Sequence, residues 1–359
     1  MKITATTSRR HFLRTSLLGG LGAVAATRLS SLQAVVATPP AGATTTQVAL
    51  TTGDSRADLA FRALKPFGKQ IAQAIGNRRV VIKPNNVGID NQLCATHAES
   101  IEGILEFLKS IGKTQNVVIA ESAAAGPTLD GFSNYGYTKL TGKYPVKLMD
   151  LDQEPFDLLQ VFDEKDFRPH PVRMSRVLLD PNTYVISAAR MKTHDRVVAT
   201  LSLKNIIVGA PIKDLGFRWG GGKAGAKNDK PLIHGSGFRG INYNLYALAQ
   251  QLHPHLALID GFEGMQGNGP VGGTPVDHRV CVASPDWLAA DRVAVELMGI
   301  DYAKVGYLNF CAGAGLGQGD LAKIEVLGAR VADHVKPYKL SDNIEQQLVW
   351  LKPVSGSAS

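Results

Sequence analysis

Short apolar runs alternate along the chain with segments in which apolar residues recur at helical spacing. An uninterrupted apolar run is typical of a strand buried on both faces, because a strand with one wet face alternates apolar and polar residues. The predicted strands are 48–50, 80–82, 117–120, 146–149, 184–188, 256–259, 280–283 and, late in the chain, 324–327. The predicted helices are 57–75, 99–111, 241–252 and 287–298.

This alternation predicts an α/β fold with a mixed, mostly parallel sheet that helices cover. One stretch breaks the pattern, at about 205–240, and we interpret it as a long irregular Gly-rich insertion. We expect a linker rich in Pro, Ala and Thr at 38–46, a single α/β domain at 47–352 and a flexible tail at 353–359.

The first 37 residues differ from the rest of the chain in charge. They contain five basic residues and no acidic one, whereas the remaining chain has 34 basic and 31 acidic residues. The formal net charge of the whole chain is +8, and without this segment it is +3. A charge of +3 on so large a domain does not indicate nucleic-acid binding, so we expect no nucleic-acid partner.

The segment 8–14, with Arg9 and Arg10 as its arginine pair, resembles the twin-arginine export signal. The apolar stretch at 17–26 is too short to span a bilayer and is typical of a signal peptide. The resemblance implies a twin-arginine signal peptide over 1–37, cleaved after Ala37 or, as a less favoured alternative, after Ala34.

The same resemblance implies the twin-arginine translocase as a partner during export and a periplasmic or cell-envelope location. The alternative is an amphipathic N-terminal helix that stays on the protein. No other segment approaches 18 uninterrupted apolar residues, so we expect no stable membrane span after cleavage.

Composition and cysteine usage narrow the class of protein. With 359 residues, 44% of them hydrophobic and 19% charged, the chain is neither disordered nor a disulfide-rich miniprotein. Its three cysteines, Cys94, Cys281 and Cys311, lie in no C-x-x-C motif and are too few for a four-thiolate iron–sulfur or zinc site. We interpret them as small buried residues and expect no iron–sulfur cluster. Whether a divalent metal binds to residues other than cysteine stays open.

Polar residues follow several predicted strands where each apolar run ends. The carboxyl ends of parallel strands meet at one edge of a sheet, and ligands bind there. The candidate ligand-binding residues are Lys83, Asn85, Lys192, Thr193, Lys204, Asn205, His234, Gly267 and Gly269. The candidate catalytic residues are His194, Asp260 and Glu263.

Each residue type suggests a role. Lysines bind carboxylate or phosphate groups, and His194 suits general acid or base catalysis because imidazole titrates near neutral pH. Asp260, with Glu263, would bind a metal or orient His194.

Successive glycines at 264–273 allow backbone N–H groups to approach an anion, the alternative being a tight loop packed on itself. The basic segment 216–230, with Arg218, Lys223, Lys227 and Lys230, is either a flap over the ligand or a mobile polar loop.

Several motifs together carry a family resemblance. Lys83-Pro84-Asn85 is followed by Met191-Lys192-Thr193-His194, by TLSLKNIIVG at 200–209, by DGxxGMxGxGP at 260–270 and by ASPD at 283–286. Over residues 48–300 their order and spacing resemble the family of domain of unknown function 362. Some members carry ferredoxin-type cysteine motifs, which this chain lacks. The resemblance implies that the strand-end residues form one site, and it implies no established reaction.

These observations lead to an expected function of limited detail. We expect an exported soluble protein that binds a small anionic ligand, a carboxylate or a phosphate, at the carboxyl ends of the strands. Acid/base or metal-assisted chemistry on that ligand would make it an enzyme. The alternative is a non-catalytic periplasmic binding protein, or an accessory protein for a redox system.

Overall fold

The computed structural model describes residues 45–353, so the predicted signal peptide, nearly all of the predicted linker and the tail beyond residue 353 lie outside the described residues. Within this range the strands are β1 (Thr46–Thr52), β2 (Arg79–Lys83), β3 (Val117–Glu121), β4 (Val146–Asp150), β5 (Phe156–Asp163), β6 (Arg168–Ser175), β7 (Thr183–His194), β8 (Val198–Thr200), β9 (Phe217–Arg218), β10 (Gly221–Gly222), β11 (Leu256–Asn268), β12 (Gly272–Ser284) and β13 (Ile324–Gly328). The helices are α1 (Arg56–Leu64), α2 (Gly68–Ile75), α3 (Ala98–Ser110), α4 (Thr128–Asn134), α5 (Arg176–Leu179), α6 (Ser202–Gly209), α7 (Phe238–Ala249), α8 (Trp287–Leu297), α9 (Gly306–Gly313) and α10 (Ile344–Gln347).

Nine strands form one mixed sheet, in the order β13-β1-β12-β11-β7-β2-β3-β4, with β8 paired to β7. The run β11-β7-β2-β3-β4 is parallel throughout, and β13 is parallel to β1. Strand β12 is antiparallel to both of its neighbours. The predicted α/β fold with a mostly parallel sheet is therefore confirmed.

The sheet is buried on both faces, as the continuous apolar runs predict. Successive residues of β2 pack into different cores: Val80 and Ile82 join α1, α2 and α3 on one face, and Val81 joins α6, α7 and α8 on the other. All three side chains are fully buried. A strand in this position needs an apolar residue at every step, and this requirement explains why its sequence does not alternate.

The predicted helix at 57–75 is divided in two. Pro66 lies in a short 3₁₀ turn at 65–67 between α1 and α2. A proline has no N–H to donate and its ring crowds the preceding turn, so the regular helix ends before it. In the described part of the chain, no helix has the length and apolar character needed to cross a membrane.

The prediction for the segment that follows the apolar run of β11 is wrong. The Gly-rich segment 264–273 is not a loop, because β11 continues to Asn268 and pairs with β12 along its whole length. This hairpin arm extends beyond the apolar core. Because β12 is antiparallel, Ser284 lies at the opposite edge of the sheet from the ends of β2, β3 and β7. The neighbouring Asp286 caps α8 by accepting the Ala289 N–H at 3.0 Å.

A second hairpin, β5–β6, was not predicted. Its strands pair antiparallel from Phe156 to Ser175, outside the main sheet. Pro169 and Pro171 interrupt any apolar pattern in β6, and Leu158 in β5 is 60% exposed.

The predicted Gly-rich insertion is present, but it begins later than expected, because α6 extends to Gly209. It contains the two-residue strands β9 and β10.

Candidate functional site

A cleft of about 350 Å³ lies at the edge of the sheet where β2, β3 and β7 end. The wall opposite these strand ends comes from the turn of the β11–β12 hairpin and from the Gly-rich insertion, which contributes Trp219. The charged and titratable side chains lining the cleft are Lys83, Glu121, His194, Asp195, Arg196, Lys204, Lys230 and His234. Four lysine and arginine side chains thus face two carboxylates.

Lys83 and Glu121 form what we call the paired end of the cleft. These are the last residues of the adjacent parallel strands β2 and β3, and Lys83 Nζ lies 2.7 Å from Glu121 Oε1. Each side chain is only 1% exposed. Burial lowers the pKa of Lys83, and the Glu121 carboxylate opposes that shift. A Cβ at Gly209 would lie 2.1 Å from Lys83 Cε, so glycine at the end of α6 leaves room for this lysine.

The hydrogen bonds of the paired end are complete. Lys83 Nζ also donates to the Pro84 carbonyl at 2.9 Å and to Asn205 Oδ1 at 3.2 Å. Glu121 accepts backbone N–H groups of Asn86 and Ser122 at 2.9 and 2.8 Å. An ammonium group has three protons, and all three are used here. Lys83 therefore forms part of the cleft floor, with no proton left for a ligand.

Asn205 lies beneath the cleft and connects its parts. Its Oδ1 accepts from Asn85 Nδ2 at 3.1 Å as well as from Lys83. Its Nδ2 donates to the Lys83 carbonyl at 3.1 Å and to Ser187 Oγ at 3.0 Å. The carboxamide is saturated by these four bonds. Asn205 thus fixes α6 against β2 and β7, and does not line the cleft.

Lys204 and His194 form what we call the amine end. Lys204 Nζ lies 2.9 Å from His194 Nε2, and both side chains are buried. Burial lowers the pKa of Lys204 to about 7, and the nearby Lys192 acts in the same direction. Burial also lowers the pKa of His194 well below its usual range, with Lys204 as the next cause. At this end the lysine has an imidazole for a partner.

Helix α6 places Lys204, and a carboxylate from α8 fixes the start of that helix. Asp291 Oδ1 accepts the Ser202 N–H at 2.8 Å and the Ser202 hydroxyl at 2.6 Å, and its Oδ2 accepts the Leu203 N–H at 3.1 Å. These are first-turn donors that have no partner within a helix. Burial raises the pKa of Asp291 to about 7 in spite of these bonds.

Lys230 and His234 come from a 3₁₀ turn that closes the Gly-rich insertion. Lys230 Nζ donates to the carbonyls of Gly209, at 3.1 Å, and Pro211, and burial lowers its pKa to about 7. Burial lowers the pKa of His234 to about 4, with Lys204 and Arg196 adding to the shift. Lys230 is the member of the predicted basic flap that lines the cleft.

Three buried polar atoms in the cleft lining have no hydrogen-bond partner among the described residues. They are Asn85 Oδ1, Asn86 Nδ2 and Thr200 Oγ1, all on side chains that are more than nine-tenths buried. A buried polar atom left without a partner costs about 1–3 kcal/mol, so such atoms are rare in folded proteins. Their presence in one cleft is typical of a site that a polar ligand completes.

Lys192 and Thr193 were predicted to bind the ligand, but the structure places them behind the cleft. Lys192 Nζ donates to the Cys94 carbonyl at 2.8 Å, and burial lowers its pKa to about 8. Thr193 Oγ1 donates to the Gly267 carbonyl at 2.8 Å and so holds the hairpin arm against β7. Neither residue lines the cleft.

Asp260 and Glu263, predicted as catalytic, lie away from His194. Asp260 lies within β11, where it accepts from Ser100 Oγ at 2.6 Å and lies 3.2 Å from Arg56 Nε. Glu263 pairs with Arg190, with Oε2 to Nη2 at 2.7 Å. Both carboxylates have partners outside the cleft, and neither orients His194.

The predicted anion-binding glycines are used within the protein. Gly267 N–H donates to the Lys339 carbonyl at 2.6 Å, and Gly269 N–H donates to the Gly267 carbonyl at 2.8 Å. A Cβ at Gly269 would lie 2.0 Å from the Thr193 carbonyl oxygen, so glycine is needed there for close packing. The hairpin turn itself does line the cleft, through Asn268 and Pro270.

The structure adds cleft residues that the sequence did not single out, notably Asn86 and Arg196. Each directly follows or lies two residues beyond a predicted site residue, so extending the strand-end rule by two positions would have found both.

The three cysteines are buried and unpaired within the described range. No group of three or more His, Cys, Asp or Glu side chains suited to a metal ion occurs among residues 45–353.

The fold and cleft together define an α/β protein with a cation-lined site at the carboxyl edge of its parallel strands. The family model described as "Domain of unknown function (DUF362)" matches residues 80–296, and the chain belongs to that family, which confirms the resemblance seen in its motifs. A Synechocystis sp. protein named as thylakoid-associated is 24% identical over 244 residues, covering 67% of this chain and 70% of that protein. No solved structure matches the chain.

Proposed function

We propose that this protein binds a small anion, a carboxylate or a phosphate, in the cleft at the ends of β2, β3 and β7. The observation that carries the proposal is the set of unpartnered atoms on Asn85, Asn86 and Thr200, three residues that line the same cleft as the cationic side chains. A ligand oxygen would satisfy the Asn86 amide and the Thr200 hydroxyl, and a protonated or hydroxyl group would satisfy Asn85 Oδ1.

Charge in the cleft supports an anion over a cation or a neutral ligand. Glu121 is neutralised by Lys83. The basic side chains Lys230 and Arg196 then outnumber the one remaining carboxylate of the lining, that of Asp195. Arg196 supplies a guanidinium whose planar donors suit carboxylate and phosphate geometry. The volume of about 350 Å³ is that of a small-molecule site.

Acid/base chemistry on the bound ligand would centre on His194 and Lys204. Both have a lowered pKa, and their nitrogen atoms are in direct contact. The role that we expected for Asp260 and Glu263 finds no support, because their partners are Arg56, Ser100 and Arg190.

Ligand-induced stabilisation tests the proposal. The purified full-length chain is heated with phosphate, acetate, succinate, lactate or pyruvate, and binding is measured by calorimetry. An anion present at about 100 times its Kd adds about 2.7 kcal/mol, which raises Tm by several degrees. Lys230→Met should weaken the response at least about tenfold, because it removes a cation facing the cleft.

Lys227→Met is the matched control, since Lys227 lies in the same insertion but is exposed and outside the cleft lining. It should bind anions as the unaltered chain does. The proposal is wrong if none of the anions binds, or if Lys230→Met and Lys227→Met respond alike.

We also propose that the twin-arginine pathway exports the protein to the periplasm or cell envelope. The support is the motif around Arg9 and Arg10 and the short apolar stretch after it. The Synechocystis relative is named as thylakoid-associated, and we take that name as support for a location at or beyond a membrane.

Replacing both arginines tests the export proposal. The double variant Arg9→Lys, Arg10→Lys should leave the precursor in the cytoplasm, as measured by fractionation and by the size of the chain. Arg14→Lys is the control, because it changes a nearby arginine and keeps the pair. Efficient export of the double variant would contradict the proposal.

A further inference from the structure

The hydrogen bonds of His194 assign the position of its ring proton. Nδ1 lies 3.3 Å from Asp195 Oδ1, but it accepts the backbone N–H of Arg196 at the shorter distance of 2.9 Å, and a nitrogen that accepts this bond carries no proton. The proton of the neutral ring is then on Nε2, which lies 2.9 Å from Lys204 Nζ. An Nε2–H group donates only to a lone pair, and an ammonium group has none. The contact therefore requires Lys204 to be a neutral amine.

The surroundings of Lys204 favour the same state. No carboxylate of the described residues lies within 4.0 Å of its Nζ, whereas Lys83 has Glu121 and Lys213 has Asp152. Its side chain is buried, and it is one of the residues that line the cleft. Burial lowers its pKa to about 7. A desolvated amine near another cation is the usual form of a nucleophilic lysine.

We propose that Lys204 forms a reversible imine with the carbonyl carbon of a small oxo acid bound in the cleft. This inference rests on the anion site proposed above, because the cleft cations would hold the carboxylate of that acid. It narrows the ligand class from any small anion to one that carries an aldehyde or ketone group.

The step balances without an oxidant or reductant. The Nζ lone pair attacks the carbonyl carbon, a C–N bond forms, and the C=O π electrons move to oxygen. The two amine protons pass to that oxygen, which leaves as water, and a C=N bond remains. His194 Nε2–H lies next to the reacting nitrogen, so the ring can give a proton to the departing hydroxyl and regain one from the amine.

Borohydride trapping tests the inference. The full-length chain is mixed with glyoxylate or pyruvate at pH 7, reduced with sodium borohydride, digested and analysed by mass spectrometry. We expect one reduced adduct per chain, on Lys204, formed at least about tenfold faster than on Lys227 in the same molecule, because an ordinary lysine is almost fully protonated at this pH. Lys204→Arg should abolish the adduct, and Lys227→Arg should leave it unchanged.

The outcomes separate this inference from the anion site. Succinate, which has no reactive carbonyl, should bind the cleft and slow the labelling of Lys204. Succinate binding without any Lys204 adduct would overturn the imine and leave the anion site standing. Labelling of Lys204 that no anion slows would overturn the anion site and leave the reactive amine. Equal labelling of Lys204 and Lys227 in the unaltered chain would overturn the inference even if Lys204→Arg did not fold.

Discussion

The two ends of the cleft each contain a buried lysine, but the two lysines have different partners. At the paired end, Lys83 lies 2.7 Å from a carboxylate and donates all of its protons. At the amine end, Lys204 contacts an imidazole and has no carboxylate of the described residues within 4.0 Å. Burial disfavours the charged form of both. The Glu121 carboxylate stabilises the charged form of Lys83. Lys204 has no such carboxylate, so burial favours its neutral form.

This difference divides the site into a structural part and a reactive part. A saturated ion pair holds strands β2 and β3 and helix α6 in place, and it offers nothing to a ligand. A neutral amine with a lowered pKa, whose lone pair accepts only the His194 Nε2–H, is available for chemistry. Residue type alone therefore does not assign a role, since two buried lysines that line one cleft have different functions.

Breaking the ion pair should have the largest effect. Lys83→Met leaves the Glu121 carboxylate buried without its cation, and the free energy of unfolding should fall by about 3–5 kcal/mol. Chemical denaturation measures the loss. The double variant Lys83→Met, Glu121→Gln should lose clearly less than the sum of the two single losses, because no uncompensated charge remains. Additive losses would mean that the pair is not coupled.

Removing the cap of α6 should have the next largest effect. Asp291→Ala leaves the Ser202 and Leu203 N–H groups without an acceptor, and it should cost about 1–3 kcal/mol of unfolding free energy. Because α6 positions Lys204, borohydride labelling of that lysine should fall as well. Asp291→Asn keeps one acceptor oxygen and should lose less of both. Unchanged labelling in Asp291→Ala would show that the cap does not position the amine.

Replacing the unpaired lysine should stabilise the empty protein. Lys204→Met removes a buried amine that must be charged at low pH, and the gain should be on the order of 1 kcal/mol. The gain depends on pH, because the pKa of Lys204 is about 7 in the folded chain against 10.5 for an ordinary lysine. Between these values the unfolded chain binds the extra proton, so the unaltered protein gains stability as pH rises.

The difference between Lys204→Met and the unaltered chain should therefore be greatest below pH 7 and shrink towards pH 10. Denaturation midpoints over this range measure it. Lys192 and Lys230 also have a lowered pKa, so part of the pH dependence should persist in the variant. A constant difference across the range would mean that Lys204 titrates as an ordinary lysine.

The sequence predicts the sheet and one edge of the site for a definite physical reason. Strands buried on both faces must be apolar at every position, and the carboxyl ends of parallel strands meet, so Lys83, His194 and Lys204 were expected in one place. The structure brings these three together. The same rule misplaces Asp260, because it equates the end of an apolar run with the end of a strand. Strand β11 continues for eight more residues, into a hairpin arm that leaves the core.

The sequence does not show which of the two lysines pairs with a carboxylate. Lys83 and Lys204 are both lysines beside apolar residues, and the chain position of Glu121 does not say which of them it meets. That choice depends on the register of β2 against β3 and on where α6 crosses them. The glycines at 264–273 were ambiguous in the same way, since close strand packing and a ligand-binding loop demand the same residue.

Glu263→Gln should have the smallest effect on the cleft, and it tests whether residues outside the cleft lining belong to the site. Glu263 is half-buried and pairs with the buried Arg190, whose Nη1 also donates to the carbonyls of Gln92 and Ala95. Glutamine keeps an oxygen that can accept from Arg190, but it leaves this buried guanidinium without a counter-ion, so the unfolding free energy should fall by about 1–3 kcal/mol. Anion affinity and Lys204 labelling should not change, because Glu263 does not line the cleft. If anion affinity or Lys204 labelling fell strongly while stability stayed unchanged, Glu263 would be a positioning residue of the site that acts through Arg190.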